Sequence, residues 1–149
     1  MRFIAHRANL NGPVPADENK PDLIQEVLAQ GYDVEIDVWH IDGAYLLGHD
    51  GPEYEVEENF LLQNGLWVHA KNLDALAMLK NKTNCFFHDV DDAVLTSHNV
   101  IWVYPGKPLL GGSVCVSPEK VNYDLHEIKL CFAVCTDYVT KYENLLVDR

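Results

Sequence analysis

Seven short apolar runs, at 2–6, 33–39, 66–70, 85–88, 100–104, 113–117 and 131–136, decide what this chain can fold into. Most are solidly apolar rather than alternating, so both faces of each must be covered. That is the condition of parallel strands in an α/β sheet. Polar or amphipathic stretches separate the runs. Helices are expected at 21–30, with Pro21 suited to a first turn and Gly31 to a stop, at 73–80 after Asn72 as a cap, and at 139–147. Asp42-Gly43 lies between two apolar runs and reads as a hairpin turn. Strand 33–39 would therefore run on into a hairpin that carries His49 back over the strand ends.

The repeated β-x-β order predicts an α/β fold with a parallel sheet. A full eight-stranded barrel takes about 250 residues, whereas this chain has 149, the size of one domain spanning 1–149. The stretch from Pro105 to Ser113 is too short for a helical crossover, which needs about a dozen residues or more. The expectation is a compact, degenerate TIM-type (β/α) barrel with parallel strands and some helices missing. That shortage would leave the apolar strands 101–104 and 114–116 uncovered. A symmetric homodimer is expected to cover them, unless helix 139–147 folds over the gap.

The formal net charge of −12 argues against nucleic acid or an anionic membrane surface as a partner, because both demand basic stripes. It leaves room for a small anionic substrate, since a bound cation reverses the local sign. Cys85, Cys115, Cys131 and Cys135 form no CxxC pair, and each sits in an apolar run. They read as buried, reduced thiols. No signal peptide precedes the first strand and no apolar run reaches membrane-spanning length. A cytoplasmic protein without a membrane anchor is expected.

Glu35 and Asp37 lie two apart in the apolar run Val34 to Trp39 and so share one strand face. Burying two such charges unpaired costs roughly several kcal/mol or more, and a divalent cation is the simplest way to stabilise them. His6 and His49 each end a strand-like run and flank the pair in sequence. Two imidazoles beside a carboxylate-bound cation suit acid/base chemistry on a phosphate, their unperturbed pKa being about 6.5.

Ile4-Ala5-His6-Arg7, Glu18-Asn19, Glu35-Ile36-Asp37-Val38 and Gly48-His49-Asp50 resemble, in order and spacing, the glycerophosphodiester phosphodiesterases of the phospholipase C-like superfamily. Ala133 to Tyr138 looks like that family's last strand, which often ends in Thr-Asp. Leu66-Trp67-Val68-His69-Ala70-Lys71 looks like its third strand, where the family has Glu-x-Lys. The resemblance implies hydrolysis of a small glycerophosphodiester, with His6 and His49 as the acid/base pair and the substrate's own adjacent hydroxyl attacking first. Arg7 and Lys71 would hold the phosphate, and Glu35, Asp37 and His69 the metal. Magnesium or calcium is expected, with manganese as an alternative, although His69 stands where the family has a carboxylate and these ions favour oxygen. Glu18 and Asn19 would support the site. His88 and Glu119 join them by position, because barrel sites form at the C-terminal ends of strands. The rival reading is a barrel that has lost turnover and binds a phosphorylated ligand or a partner protein. Glycoside hydrolysis fits poorly, since its carboxylates must flank the scissile bond about 5 Å or more apart, and these two lie on one strand face.

Overall fold

Parallel strands that need cover on both faces obtain it here in two different ways. The structure, a computed structural model, describes residues 1–148. Its strands are β1 (Arg2–His6), β2 (Asp33–Ile41), β3 (Ala44–Leu47), β4 (Tyr54–Val56), β5 (Leu66–Ala70), β6 (Cys85–Phe87), β7 (Ala93–Leu95), β8 (Ile101–Val103), β9 (Val114–Val116) and β10 (Ala133–Thr136). The α-helices are α1 (Pro21–Ala29), α2 (Glu58–Leu61), α3 (Leu73–Leu79), α4 (Leu125–Lys129) and α5 (Val139–Leu146). The protein is α/β, built on one mixed ten-stranded sheet. Its parallel backbone runs β6-β5-β2-β1-β10-β9-β8, with the antiparallel strands β3, β4 and β7 attached to it.

Each expected run and helix is present, with ends moved by a residue or two. Pro21 opens α1, and Asn72 caps α3 by accepting from the Ala75 N–H at 2.9 Å. Asp42 and Gly43 both take positive φ, 50° and 80°, as a two-residue hairpin turn requires. Strands β4 and β7 and helices α2 and α4 carry no sequence signal of comparable strength, being three to five residues long.

One face of the sheet packs under helices. Val34, Ile36, Val38, Val68 and Val134 point there, against Ile24 and Val27 of α1, Leu79 of α3, and Val139 and Tyr142 of α5. The opposite face rolls on itself. Trp102 of β8 meets Phe86 of β6 with ring centroids 4.7 Å apart and Trp67 of β5 at 5.7 Å, so the two ends of the parallel array face each other across an apolar plug that also holds Ile4, Val114, Val116 and Cys135.

The ladder does not close into the expected ring. Among the described residues, no strand pairing joins β6 to β7 or β8. The free edge of β6 is met by the β7–β8 turn instead: the Cys85 carbonyl accepts from the Ser97 N–H at 2.8 Å, and the Cys85 N–H donates to Ser97 Oγ at 2.9 Å. Antiparallel pairing of β7 with β8 uses the hydrogen bonds that closure would need.

The apolar strand β9 is not left bare. Cys115 packs in one cluster with Ile128 and Cys131, and Leu109 and Tyr123 lie against that cluster. The Tyr123 hydroxyl donates to the Lys107 carbonyl at 2.7 Å, pinning the short 105–113 connection. Loop 105–113 and α4 therefore cover the outer face of β9, while α5 packs on β1 and β10 and Ile101 of β8 stays 38% exposed. All four cysteines are buried and unpaired in disulfides, and burial pushes the Cys115 thiol up to about 12. Among the described residues, no helix is long and apolar enough to cross a membrane.

Asn72 also ties β2 to α3. Its Oδ1 accepts from the His40 N–H at 3.2 Å and its Nδ2 donates to the His40 carbonyl at 3.0 Å. Replacing it with Ala removes a helix cap and a β2 anchor together. Asn72→Ala is expected to lower stability by at least about 1 kcal/mol, read as a lower denaturant midpoint with an unchanged slope.

Candidate active site

Register decides which side chains meet. His6 pairs with Glu35 across β1–β2, and Asp37 with His69 across β2–β5, so all four project from the same face near the C-terminal strand ends. They sit directly above the Trp67, Phe86 and Trp102 plug. Glu35 and Asp37 are 2% and 1% exposed, a depth at which unpaired carboxylates are not tolerated.

Asp37 is satisfied on one side only. Its Oδ2 accepts from Asn19 Nδ2 at 2.9 Å, and Asn19 Oδ1 accepts from the Asp37 N–H at 3.0 Å. The Asn19 backbone is left-handed, φ 62°, a rare setting for a residue other than glycine, held here by these two bonds. Arg7 Nε lies 3.4 Å and His49 Nδ1 3.5 Å from the same oxygen. The other oxygen, Oδ1, has no hydrogen-bond partner, although His69 Nδ1 approaches to 3.2 Å. Glu35 Oε2 accepts from the Arg7 N–H at 3.3 Å. Burial pushes both carboxyls up. For Asp37 the contacts with His49 and His69 and the Arg7 charge reverse this and hold it well below the usual carboxylate range. Glu35, beside the charged Asp37, stays raised.

Both expected histidines reach this centre. His49 arrives by the β2–β3 hairpin, whose return is fixed by Trp39 Nε1 donating to the Gly48 carbonyl at 2.7 Å and by the Gly48 N–H donating to the Asp37 carbonyl at 3.1 Å. Gly48 has φ 153°, and a Cβ there would collide with the Gly51 carbonyl oxygen, so only glycine permits the turn. His6 bonds Asp137 Oδ1 through Nδ1 at 2.8 Å and turns Nε2 toward Glu35 Oε2 at 3.7 Å. Burial lowers its pKa, but Asp137 and Glu35 outweigh burial and raise it above its ordinary value.

A chain of hydrogen bonds links the two imidazoles. His49 Nε2 lies 3.1 Å from Arg7 Nη2, and Arg7 Nη1 donates to Glu18 Oε2 at 3.1 Å. Asn9 Nδ2 donates to Glu18 Oε1 at 3.2 Å and to Asp137 Oδ1 at 2.9 Å, and Asp137 returns to His6. Arg7 and Ala8 turn this segment with left-handed φ of 53° and 70°.

The remaining expected residues divide. His69 stacks on Phe86, centroids 5.1 Å apart and rings 13° from parallel. His88 stacks on Tyr104 at 3.6 Å and lies 6.1 Å from His69; burial and the neighbouring His69 hold its pKa below the ordinary value. Lys71 follows β5 and forms no ion pair among the described residues, whereas the Arg7 guanidinium is engaged by Glu18, Asp37 and His49. Glu119 lies behind the site: it accepts from Thr136 Oγ1 at 2.8 Å and from the Asp137 N–H at 3.1 Å. Asn9, Asp137 and Tyr104 complete the cluster without having been expected there. Asp137 alone had a signal, as a carboxylate just past a buried strand.

Comparison with protein-family models, with curated proteins and with solved structures found no match.

The His6 pKa supplies a direct check on this geometry. Because it is raised in the folded state, its contribution to stability is full below the unfolded value of about 6.5 and is lost as pH rises through the folded pKa. Asp137→Asn removes the main opposing partner to burial. An imidazole NMR titration of metal-free protein should then show the His6 pKa falling and the stabilisation at low pH shrinking with it.

Proposed function

We propose that the protein is a metal-dependent phosphodiester hydrolase acting on a small glycerophosphodiester-like substrate, on a scaffold that is a degenerate (β/α) barrel. The observation that carries this reading is the meeting of His6 and His49 at the opposite ends of one hydrogen-bonded chain around the Glu35–Asp37 pair. A water-soluble diester of the cytoplasm is the favoured substrate.

One ligand atom from each of Glu35, Asp37 and His69 lies within 4.8 Å of the others, and the orphaned Asp37 Oδ1 suits a cation ligand. A divalent ion bound there supplies neutralisation of the charge that builds on the phosphate oxygens. The chain's own groups do the rest. Lys71, in no ion pair with a carboxylate among the described residues, offers an ammonium suited to a further phosphate oxygen. Arg7 braces Glu18, Asp37 and His49, fixing the angle at which the second imidazole faces the substrate. The two histidines divide the proton transfers, one taking a proton from the attacking hydroxyl and the other giving one to the leaving oxygen. Asp137 and Glu119 hold His6 in register, the role of an orienting carboxylate behind a catalytic imidazole.

Replacing His6 or His49 with Ala is expected to cut turnover of a glycerophosphodiester by at least about 100-fold, the lower end for acid/base groups, with the circular dichroism spectrum preserved. A variant that keeps near wild-type turnover removes that histidine from the mechanism. Absence of turnover across a panel of diesters, together with saturable binding of glycerol phosphate, would turn the reading to a ligand-binding protein.

A further inference from the structure

Each carboxylate of the central pair has one oxygen already committed. Asp37 Oδ2 serves Asn19, and Glu35 Oε2 serves the Arg7 N–H while facing His6 Nε2 at 3.7 Å. What remains is Asp37 Oδ1, buried and without a hydrogen-bond partner, and Glu35 Oε1. Both face His69 Nδ1, at 3.2 and 3.9 Å. The His69 ring cannot turn freely away, since it lies flat on Phe86, which is 2% exposed.

We infer that this centre is built for zinc or a chemically similar first-row transition ion, with His69 as its nitrogen donor, and not for magnesium or calcium; the inference rests on the metal-dependent reading above. Calcium takes about 6–8 oxygen ligands and commonly uses carboxylates in bidentate fashion, but here the second oxygen of each carboxylate already accepts a hydrogen bond, from Asn19 Nδ2 or from the Arg7 N–H. Magnesium prefers an all-oxygen octahedron and keeps much of its water, so a fixed imidazole edge is a poor fit. Imidazole suits zinc and its neighbours, and affinity for a mixed nitrogen and oxygen site rises along the transition series. One imidazole and two monodentate carboxylates make three protein donors. That is the number a catalytic zinc site uses while keeping a further position open for water or substrate.

Untagged, metal-free protein titrated calorimetrically with zinc, cobalt, magnesium and calcium chlorides tests this. Wild type should bind zinc and cobalt more tightly than magnesium and calcium by more than about 100-fold, the upper end of what even an outer-shell partner of a metal contributes. Bound cobalt should give a visible absorption spectrum that changes in His69→Glu, and His69→Glu should narrow or reverse the preference for zinc over magnesium. Asp37→Asn should weaken zinc by a similar factor; unchanged zinc affinity there would place the ion elsewhere and overturn the inference. Magnesium or calcium bound by wild type as tightly as zinc overturns it too, while leaving metal-dependent hydrolysis standing. Failure of wild type to bind any of the four ions removes both this inference and the metal-dependent reading.

Discussion

Two carboxylates on one buried face of β2 are the constraint around which this protein is arranged. Glu35 and Asp37 are almost wholly withdrawn from water, and like charges so placed are costly unless partners are aimed at them. The fold aims several. Asn19 is held in a left-handed backbone to pair with Asp37 twice, Arg7 leaves β1 in a tight turn that brings both its N–H and its guanidinium to the pair, and the β2–β3 hairpin returns His49 to the strand it left. Remove the pair and none of these local oddities has a physical reason.

Behind the polar centre stands a second set of carboxylates. Asp137 closes β10 and Glu119 lies in the turn after β9, and each fixes the next: Glu119 holds the Asp137 backbone, and Asp137 holds the His6 ring. A raised His6 and a lowered Asp37 follow from the same arrangement, since the former gains anionic neighbours and the latter cationic and imidazole ones. Groups so close respond to one another, so a charge removed at one position is felt at both histidines.

The short chain covers its parallel strands with unequal means. Where residues suffice, as between β1 and β2 or β5 and β6, a helix lies outside. Where they do not, a pinned loop and the single turn of α4 replace it over β9. Inside, Trp67, Phe86 and Trp102 fill the space beneath the polar centre, and their size allows β6 and β8 to face each other without a shared ladder. Large aromatic surfaces bring the two sheet ends together by burial alone.

Much of this was legible in the sequence, and for definite reasons. Solid apolar runs report parallel strands because such strands are covered on both faces; Pro21, Asn72 and Asp42-Gly43 report helix starts and a hairpin because their backbone preferences are local. Glu35 and Asp37 declared themselves because charge two apart in an apolar strand has no neutral explanation. Other features depended on distance in space. Asp137 became a partner of His6 and Asn9 only when β10 paired with β1. Glu119 stood behind the site rather than in it because the turn after β9 aims it at β10. Arg7 was braced by three neighbours, which no local pattern records. The open ladder between β6 and β8 and the cover of β9 were likewise tertiary outcomes. Local sequence determined the elements and the acidic centre through backbone preference and burial cost; only the packed structure decided which distant side chains came to satisfy it.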